Sequence, residues 1–332
     1  GGRALMHAYV STGRLPAGER VRALVTAAYE RFRSNTDGHT STVYPALARG
    51  PPDLFGICVT DTRGRSAAAG DADVEFAIMS VAKPFVFAVV CQALGPELTR
   101  RTIGVNATGR PFNSLGAVEQ GPRGLTNPMV NSGAIVTSSL TPGRDVAEQW
   151  HHLVDGLSRF AGRELTLDEE MYASAAETNQ RNRSLALLLQ SVGGLTADPV
   201  AAVDLYTRQS CLRVTARDLA VMGATLADGG LNPITRDQVV DPETCGRTLA
   251  VMATAGLYET SGDWLFTIGL PGKSGIGGGI VTAAPGKGGL GTYAPLLDPV
   301  GNSVKGQLTA AYLSEELGLN LFSSAPVAPD PG

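Results

Sequence analysis

Residues 18–34 carry Val21, Leu24, Val25, Ala28 and Phe32 at helical spacing with charges between them, so the pattern predicts an amphipathic helix. The period then changes. "LFGICVT" (residues 54–60), "DTRG" and "RSAAAGD" read as strand, tight turn and strand, because turn-forming residues bracket a β-rich run. From Ser80 an apolar run extends to Leu94 and stops at Gly95-Pro96, a helix-breaking pair. Pro84 falls in or near the first turn, where its missing N–H does little harm, which puts Ser80 at the helix's N-terminal end.

The middle of the chain repeats the helical period over residues 145–160, 181–191, 198–208, 215–228 and 243–257. One of these is well marked at both ends: Thr215 and Asp218 form a T-x-x-D start, and Gly229-Gly230 closes it. Residues 269–291 then contain ten glycines interleaved with the β-type segments "GIVTAA" and "GTYAPLL", the mark of strands approached closely by other backbone or by a ligand. A last helix is predicted over residues 303–317, and the Pro-rich "APVAPDPG" reads as a loose tail. Strands at both ends flanking a helical middle predict the α+β class, with a sheet built from both ends of the chain.

Composition narrows the function classes. A chain of 332 residues with 43% hydrophobic and 17% charged residues can bury a large core. Its net charge of −4 offers no basic field for nucleic acid or for an anionic membrane surface. Apolar runs such as residues 84–90 fall far short of the roughly 20 residues a membrane helix needs, and no basic-then-apolar N-terminal segment signals export, so a cytoplasmic location is expected. Cys58, Cys91, Cys211 and Cys245 form no Cys-x-x-Cys pair, and Cys58 and Cys91 sit in apolar runs that suit reduced, buried thiols.

Two short motifs carry chemistry. Ser80 and Lys83, three apart, project from one face of a helix, and a desolvated lysine can take the proton of a serine hydroxyl. S-x-x-K alone also describes an ordinary helix start. Downstream, Lys273-Ser274-Gly275 supplies a K-[ST]-G triplet before a glycine-rich strand pattern, and the two together form two of three signatures of penicillin-recognising serine enzymes. On an edge strand beside the serine, K-S-G would give a substrate positive charge, a hydroxyl and open backbone. The competing motifs fail on context. "GKS" lacks the phosphate-loop glycine, since that position is Thr267, and "GKGGLG" is followed by Pro295 and a strand-like run instead of a helix. His7, His39, His151 and His152 show no zinc-ligand spacing, with His151-His152 read as a solvated helix face, and no G-x-S-x-G elbow occurs.

Longer stretches point to one family. "GVNATGRPFNS", "NPMVNSGAIV", "TNQRNRSLA", "VTARDLAVMGATLADGGLNP", "GLYETSGDWLFTIGLPGKSGIGGGI" and "LLDPVGNSVKG" closely resemble, in colinear order from about residue 44 to about residue 306, the serine-dependent glutaminases. The resemblance implies a β-lactamase/penicillin-binding-like fold, an antiparallel sheet with flanking helices plus a mostly helical subdomain. It implies one domain over residues 1–332, made of a discontinuous α/β part (about 17–95 and 260–320) and a helical part (about 96–259). L-glutamine is the implied substrate, with no metal or organic cofactor, and a homodimer or homotetramer the implied assembly.

The resemblance also assigns roles residue by residue. Ser80 matches the acyl-forming nucleophile and Lys83 its base. Tyr206 and Tyr258 match the active-site tyrosines, one of which relays protons to the leaving ammonia. Asn131 and Asn182 match the asparagines at the substrate's amino-acid end and Tyr44 the gating-loop tyrosine, while Lys273 is expected to bind substrate on the strength of the K-S-G motif. Ile276 takes the family's valine position, where its backbone N–H would join that of Ser80 as an oxyanion hole.

One departure bears on the substrate. Where the family reads S-E-x-x-T-x-x-R-N, this chain has "SAAETNQRN", so the glutamate that holds the substrate ammonium is replaced by Ala175. On a continuous helix residue 175 shares a face with Asn182, whereas Glu177 would point about 140° away. "YTRQSC" also departs from the usual Y-F-x-Q-C-S, and Ile276 adds a methylene beside the hole.

Overall fold

The computed structural model describes residues 14–324. The chain opens with α1 (Gly18–Phe32), α2 (Pro45–Ala48), the hairpin β1 (Gly56–Asp61) and β2 (Ser66–Gly70), the short strand β3 (Phe76–Ala77), a 3-10 turn over Met79–Val81, and α3 (Ala82–Leu94). A helical stretch follows, comprising α4 (Pro96–Ile103), α5 (Leu115–Gln120), α6 (Asn131–Ser139), α7 (Val146–Ala161), α8 (Glu169–Glu177), α9 (Gln180–Ser191) and α10 (Pro199–Ser210). Then β4 (Arg213–Val214) leads into α11 (Ala216–Ala227), α12 (Pro242–Ala255) and α13 (Ser261–Ile268). The chain closes with β5 (Gly272–Ser274), β6 (Gly279–Ala284), β7 (Gly288–Tyr293) and α14 (Val304–Leu317). The expected tail at 325–332, His7 and the first residues lie outside the described residues.

The five-stranded sheet has the order β2-β1-β7-β6-β5 with every neighbouring pair antiparallel, so strands from both ends of the chain meet between β1 and β7, as the α+β reading requires. One face packs with α1 and α14 around Val25, Ile57, Leu290 and Leu313. The other receives α11 and a larger core built on Phe85, Leu153, Leu157, Phe160 and Met222.

Glycine sets how close α11 can come. A Cβ on Gly289 would stand 2.2 Å from the Ala220 carbonyl oxygen, and one on Gly291 would stand 2.0 Å from that of Ala216, so only glycine fits where helix backbone rests on strand backbone. The close approach expected at this glycine run is therefore made by α11. The strand begins at Gly288 and ends at Tyr293, earlier at both ends than the "GTYAPLL" pattern suggests, because Pro295 has no N–H to continue a ladder.

The long helices follow their sequence signals. Thr215 and Asp218 form a complete capping box, each side chain accepting from the other's backbone N–H at 3.0 and 2.9 Å. Six short helices, α2, α4, α5, α6, α8 and α13, have no counterpart in the hydrophobic pattern. In α6 the reason is burial on every side from Asn131 to Ser138, which leaves no polar face to create a period. All four cysteines are buried and unpaired, and His151 and His152 are exposed on α7. Among the described residues no helix is long and apolar enough to cross a membrane.

Candidate active site

Ser80 lies on the 3-10 turn between β3 and α3. Behind it, β3 pairs with β4, and the Ile78 N–H donates to the Leu212 carbonyl at 2.9 Å. The Phe76 ring stacks on Tyr293 of β7 at 4.0 Å, which ties the turn to the sheet. Met79 adopts φ 50°, a left-handed conformation costing a side-chain-bearing residue about 1–2 kcal/mol, so the chain reverses sharply just before the serine. Ser80 does not cap α3, whose first cap residue is Val81 with no side-chain bond. An ordinary helix start therefore does not account for this serine.

Lys83, in the first turn of α3, is only 2% exposed. Its Nζ donates to Asn131 Oδ1 at 2.7 Å, and burial pulls its pKa down from 10.5 to about 7. The Tyr206 hydroxyl donates to the same oxygen at 3.0 Å, and Asn131 Nδ2 donates to Asn182 Oδ1 at 3.0 Å. Thus α6, α9 and α10 each contribute one side chain to a network ending on Lys83.

The opposite wall is made of strand backbone. Gly275 follows β5, and a Cβ there would meet the Ile78 carbonyl oxygen at 3.0 Å and the Ser80 nitrogen at 3.1 Å, so K-S-G lays an edge strand directly on the serine turn. Half-buried Ile276 comes next in the hairpin turn, and among the described residues neither its amide nor that of Ser80 donates to another backbone group. Ser274 Oγ donates to Asn302 Oδ1 at 2.5 Å, fixing this strand to the loop before α14.

Lys273 departs from expectation. Its side chain is fully buried, its Nζ donates to the Ser274 carbonyl at 2.7 Å, and it stands 4.4 Å from the centre of the Tyr258 ring. It lines no part of the cleft, so it cannot offer positive charge directly to a bound substrate. Burial, with the charge of Lys83 adding to it, holds its pKa well below the usual lysine value.

Tyr258 sits on a 3-10 turn at φ 55°, beside Phe112 at 5.0 Å between ring centres, and among the described residues no group lies within hydrogen-bond distance of its buried hydroxyl, the Ser80 and Ser274 hydroxyls being near but not bonded. Burial pushes its pKa to about 12, with the Ser80 hydroxyl and then that of Ser274 acting the other way. Burial raises Tyr206 well above 10, with Ser80 again among the opposing groups. Tyr44, at the start of α2, is raised to about 12 by burial, with the nearby Asn182 amide acting the other way.

Of the nine residues singled out in the sequence, Tyr44, Ser80, Asn131, Asn182, Tyr206 and Ile276 line one cleft, while Lys83, Tyr258 and Lys273 stand behind its wall. The cleft also includes Phe112, Asn113, Asn179 and Arg181, which sequence reasoning did not assign. Phe112 and Asn113 belong to "GRPFNS" and Arg181 to "TNQRNRSLA", so the family-like stretches marked these places without distinguishing the residues. Asn179 belongs to "TNQRNRSLA" as well.

The helical premise about position 175 is also corrected. Helix α8 ends at Glu177, Thr178 caps it, and α9 begins only at Gln180, so residues 175 and 182 do not share a continuous helix. Ala175 is fully buried outside the cleft lining, and Glu177 is exposed away from it. Among the described residues, Arg181 is the single charged one lining the cleft.

Comparison with known proteins agrees with this geometry. The glutaminase family model matches residues 38–322. Glutaminase 2 of Yersinia pestis is 64% identical over 318 residues, 96% of this chain and 94% of that protein. A glutaminase of Brucella canis is 44% identical over 304 residues, 90% and 96% respectively. The solved structure of a probable glutaminase, ybaS, superposes with a TM-score of 0.92 at 38% identity, covering 93% of this chain and all of that one. A serine turn pressed against a K-S-G strand, a buried lysine below it and a match that runs through both halves of the sheet lead to one assignment: the chain belongs to the glutaminase family.

Proposed function

We propose that the protein hydrolyses L-glutamine to L-glutamate and ammonia through an acyl-enzyme on Ser80. In this reading Ser80 Oγ attacks the side-chain amide carbon as its proton passes to Lys83 Nζ. The tetrahedral oxyanion is held by the Ser80 and Ile276 amides. The proton then goes to the departing ammonia by way of a tyrosine hydroxyl, Tyr258 being the one without a competing partner. Water attacks the resulting ester, and Ser80 is released as the hydroxyl. The observation that carries the reading is Lys83, buried beside the serine turn and poised to be uncharged near neutral pH, as a base must be. Family membership supports homodimeric or homotetrameric assembly and a cytoplasmic location, the first measurable by light scattering.

Ammonia and glutamate release from L-glutamine over a wide concentration range tests this. Saturable turnover that Ser80→Ala abolishes is the expected result, and a folded wild-type protein without turnover would refute it. Because no carboxylate among the described residues lines the cleft, the substrate ammonium lacks a charged partner there, a loss on the order of 1.5–3 kcal/mol. A tenfold to hundredfold rise in half-saturation follows at that scale. The same feature favours a second reading, a serine amidase whose preferred substrates lack the α-ammonium. Turnover of 4-carbamoylbutanoate at a higher kcat/KM than glutamine would select it.

A further inference from the structure

From Lys83 behind the cleft and along its wall, five buried side chains form a single file. Lys83 Nζ donates to Asn131 Oδ1 at 2.7 Å, Asn131 Nδ2 to Asn182 Oδ1 at 3.0 Å, Asn182 Nδ2 to Asn179 Oδ1 at 2.6 Å, and Asn179 Nδ2 to Thr207 Oγ1 at 2.6 Å. The file ends where Thr207 Oγ1 donates to the Val203 carbonyl one turn back along α10, at 2.7 Å. All five residues are buried. Every bond points the same way.

A carboxamide is nearly symmetric in shape, so its neighbours' donors and acceptors decide which end faces where. A hydroxyl has one hydrogen. Thr207 spends its hydrogen on the Val203 carbonyl, so toward Asn179 it can only accept, and Asn179 must present its Nδ2. That turns Asn179 Oδ1 toward Asn182, which must present its own Nδ2, and the same constraint passes to Asn131. Asn131 is left with its oxygen toward Lys83. Neutral Lys83 has N–H donors and one lone pair. With an N–H satisfied by Asn131, the lone pair remains for the serine proton.

We propose that Thr207 and Asn179 are positioning residues, which fix the direction of this amide file and thereby keep the Lys83 lone pair aimed at Ser80. Neither touches the reacting atoms. Without the Thr207 acceptor, the amides can reverse and Asn131 can turn its N–H toward Lys83. The lysine lone pair is then occupied, and the ammonium form loses its acceptor. The base becomes both less available and harder to protonate.

The proposal rests on Lys83 acting as base, and its test separates the two. Lys83, Lys273, Lys287 and Lys305 are the only lysines in the chain, so a protein labelled with ¹³C at lysine Cε gives four resonances, that of Lys83 assigned by its loss in Lys83→Met. In Thr207→Val the Lys83 titration midpoint is expected to fall by half a pH unit or more, with the plateau kcat/KM for glutamine down about tenfold. Thr207→Ser, which keeps the hydroxyl, restores both. Adding Thr207→Val to Asn179→Ala changes neither further. An unmoved Lys83 midpoint, a Ser variant as defective as Val, or additive effects in the double variant would overturn the proposal. Should Thr207→Val not fold, Asn179→Ala reports the same midpoint and plateau. Because the resonance titrates without turnover, a wild-type protein inactive on glutamine would count against the proposed reaction and leave the amide file open to this measurement.

Discussion

The two walls around Ser80 are built on opposite principles. The helical wall is a chain of buried side-chain hydrogen bonds, Lys83 to Asn131 to Asn182 to Asn179, each depending on the identity of single atoms. The strand wall, from β7 across to Gly275, depends on the absence of atoms, with backbone set against backbone at Gly289, Gly291 and Gly275. The first wall is damaged by removing a group, the second by adding one. Function concentrates on the first and geometry on the second.

The largest effect should come from adding one carbon to the strand wall. In Gly291→Ala the new Cβ meets the Ala216 carbonyl oxygen, backbone that cannot swing aside, so a loss of about 3 kcal/mol or more is expected in a denaturant melt. A near wild-type melt would break the contrast between the walls. On the helical wall Lys83→Met should cost roughly 10²–10⁴-fold in kcat/KM by removing the base. The same change is expected to stabilise the fold by about 1–2 kcal/mol, since a buried, desolvated amine is replaced by an apolar chain. Loss of both activity and stability would mean that Lys83 is mainly a structural anchor.

The pH dependence sharpens the picture. A base with pKa about 7 must be neutral to act, so kcat/KM should rise with pH through an apparent pKa near 7 and level off above it. The stability effect has its own window. The folded pKa of Lys83 lies below its unfolded value, so between about 7 and 10.5 the unfolded state binds more protons. Stability from this group therefore increases as pH rises across that window, and Lys83→Met should flatten that part of the profile. The smallest effect separates the two tyrosines. Tyr206→Phe loses its bond to Asn131 and should cost roughly 1 kcal/mol. Tyr258→Phe removes a hydroxyl that bonds nothing, so the melt should hardly move while turnover falls by on the order of 10²-fold. Equal melts for the two variants would show that Asn131 needs no help from Tyr206.

What the sequence made legible follows the same division. Long amphipathic helices with acid or hydroxyl caps, such as α7 behind Asp145 and α11 behind Thr215, were readable because cap and period agree. Helix α6 was not, because it is buried all round, nor was β4, whose two residues carry no period. Ser80, Lys83 and the K-S-G strand were visible as motifs because local spacing places them. Asn179 and Thr207 were not, since their partnership joins the break between α8 and α9 to the middle of α10 and exists only in the folded chain. Reading residues 175–182 as one helix concealed that break. Lys273 was recognised as important and assigned the wrong surroundings, because a motif gives a residue's place along a strand but not which way its side chain is buried.

The seat of α11 on β7 has one more consequence. From that seat the chain runs back through β4 to β3 and the serine turn, and outward through β6 to β5 and Ile276, so the spacing of the Ser80 and Ile276 amides is referred to a joint at which helix backbone rests on strand backbone. Where Gly289 and Gly291 meet α11, the strand has no rotamers to switch and no methyl groups to lose. Core residues on either side can therefore be exchanged, drifting in volume and composition, while the gap between the Ser80 and Ile276 amides keeps its width.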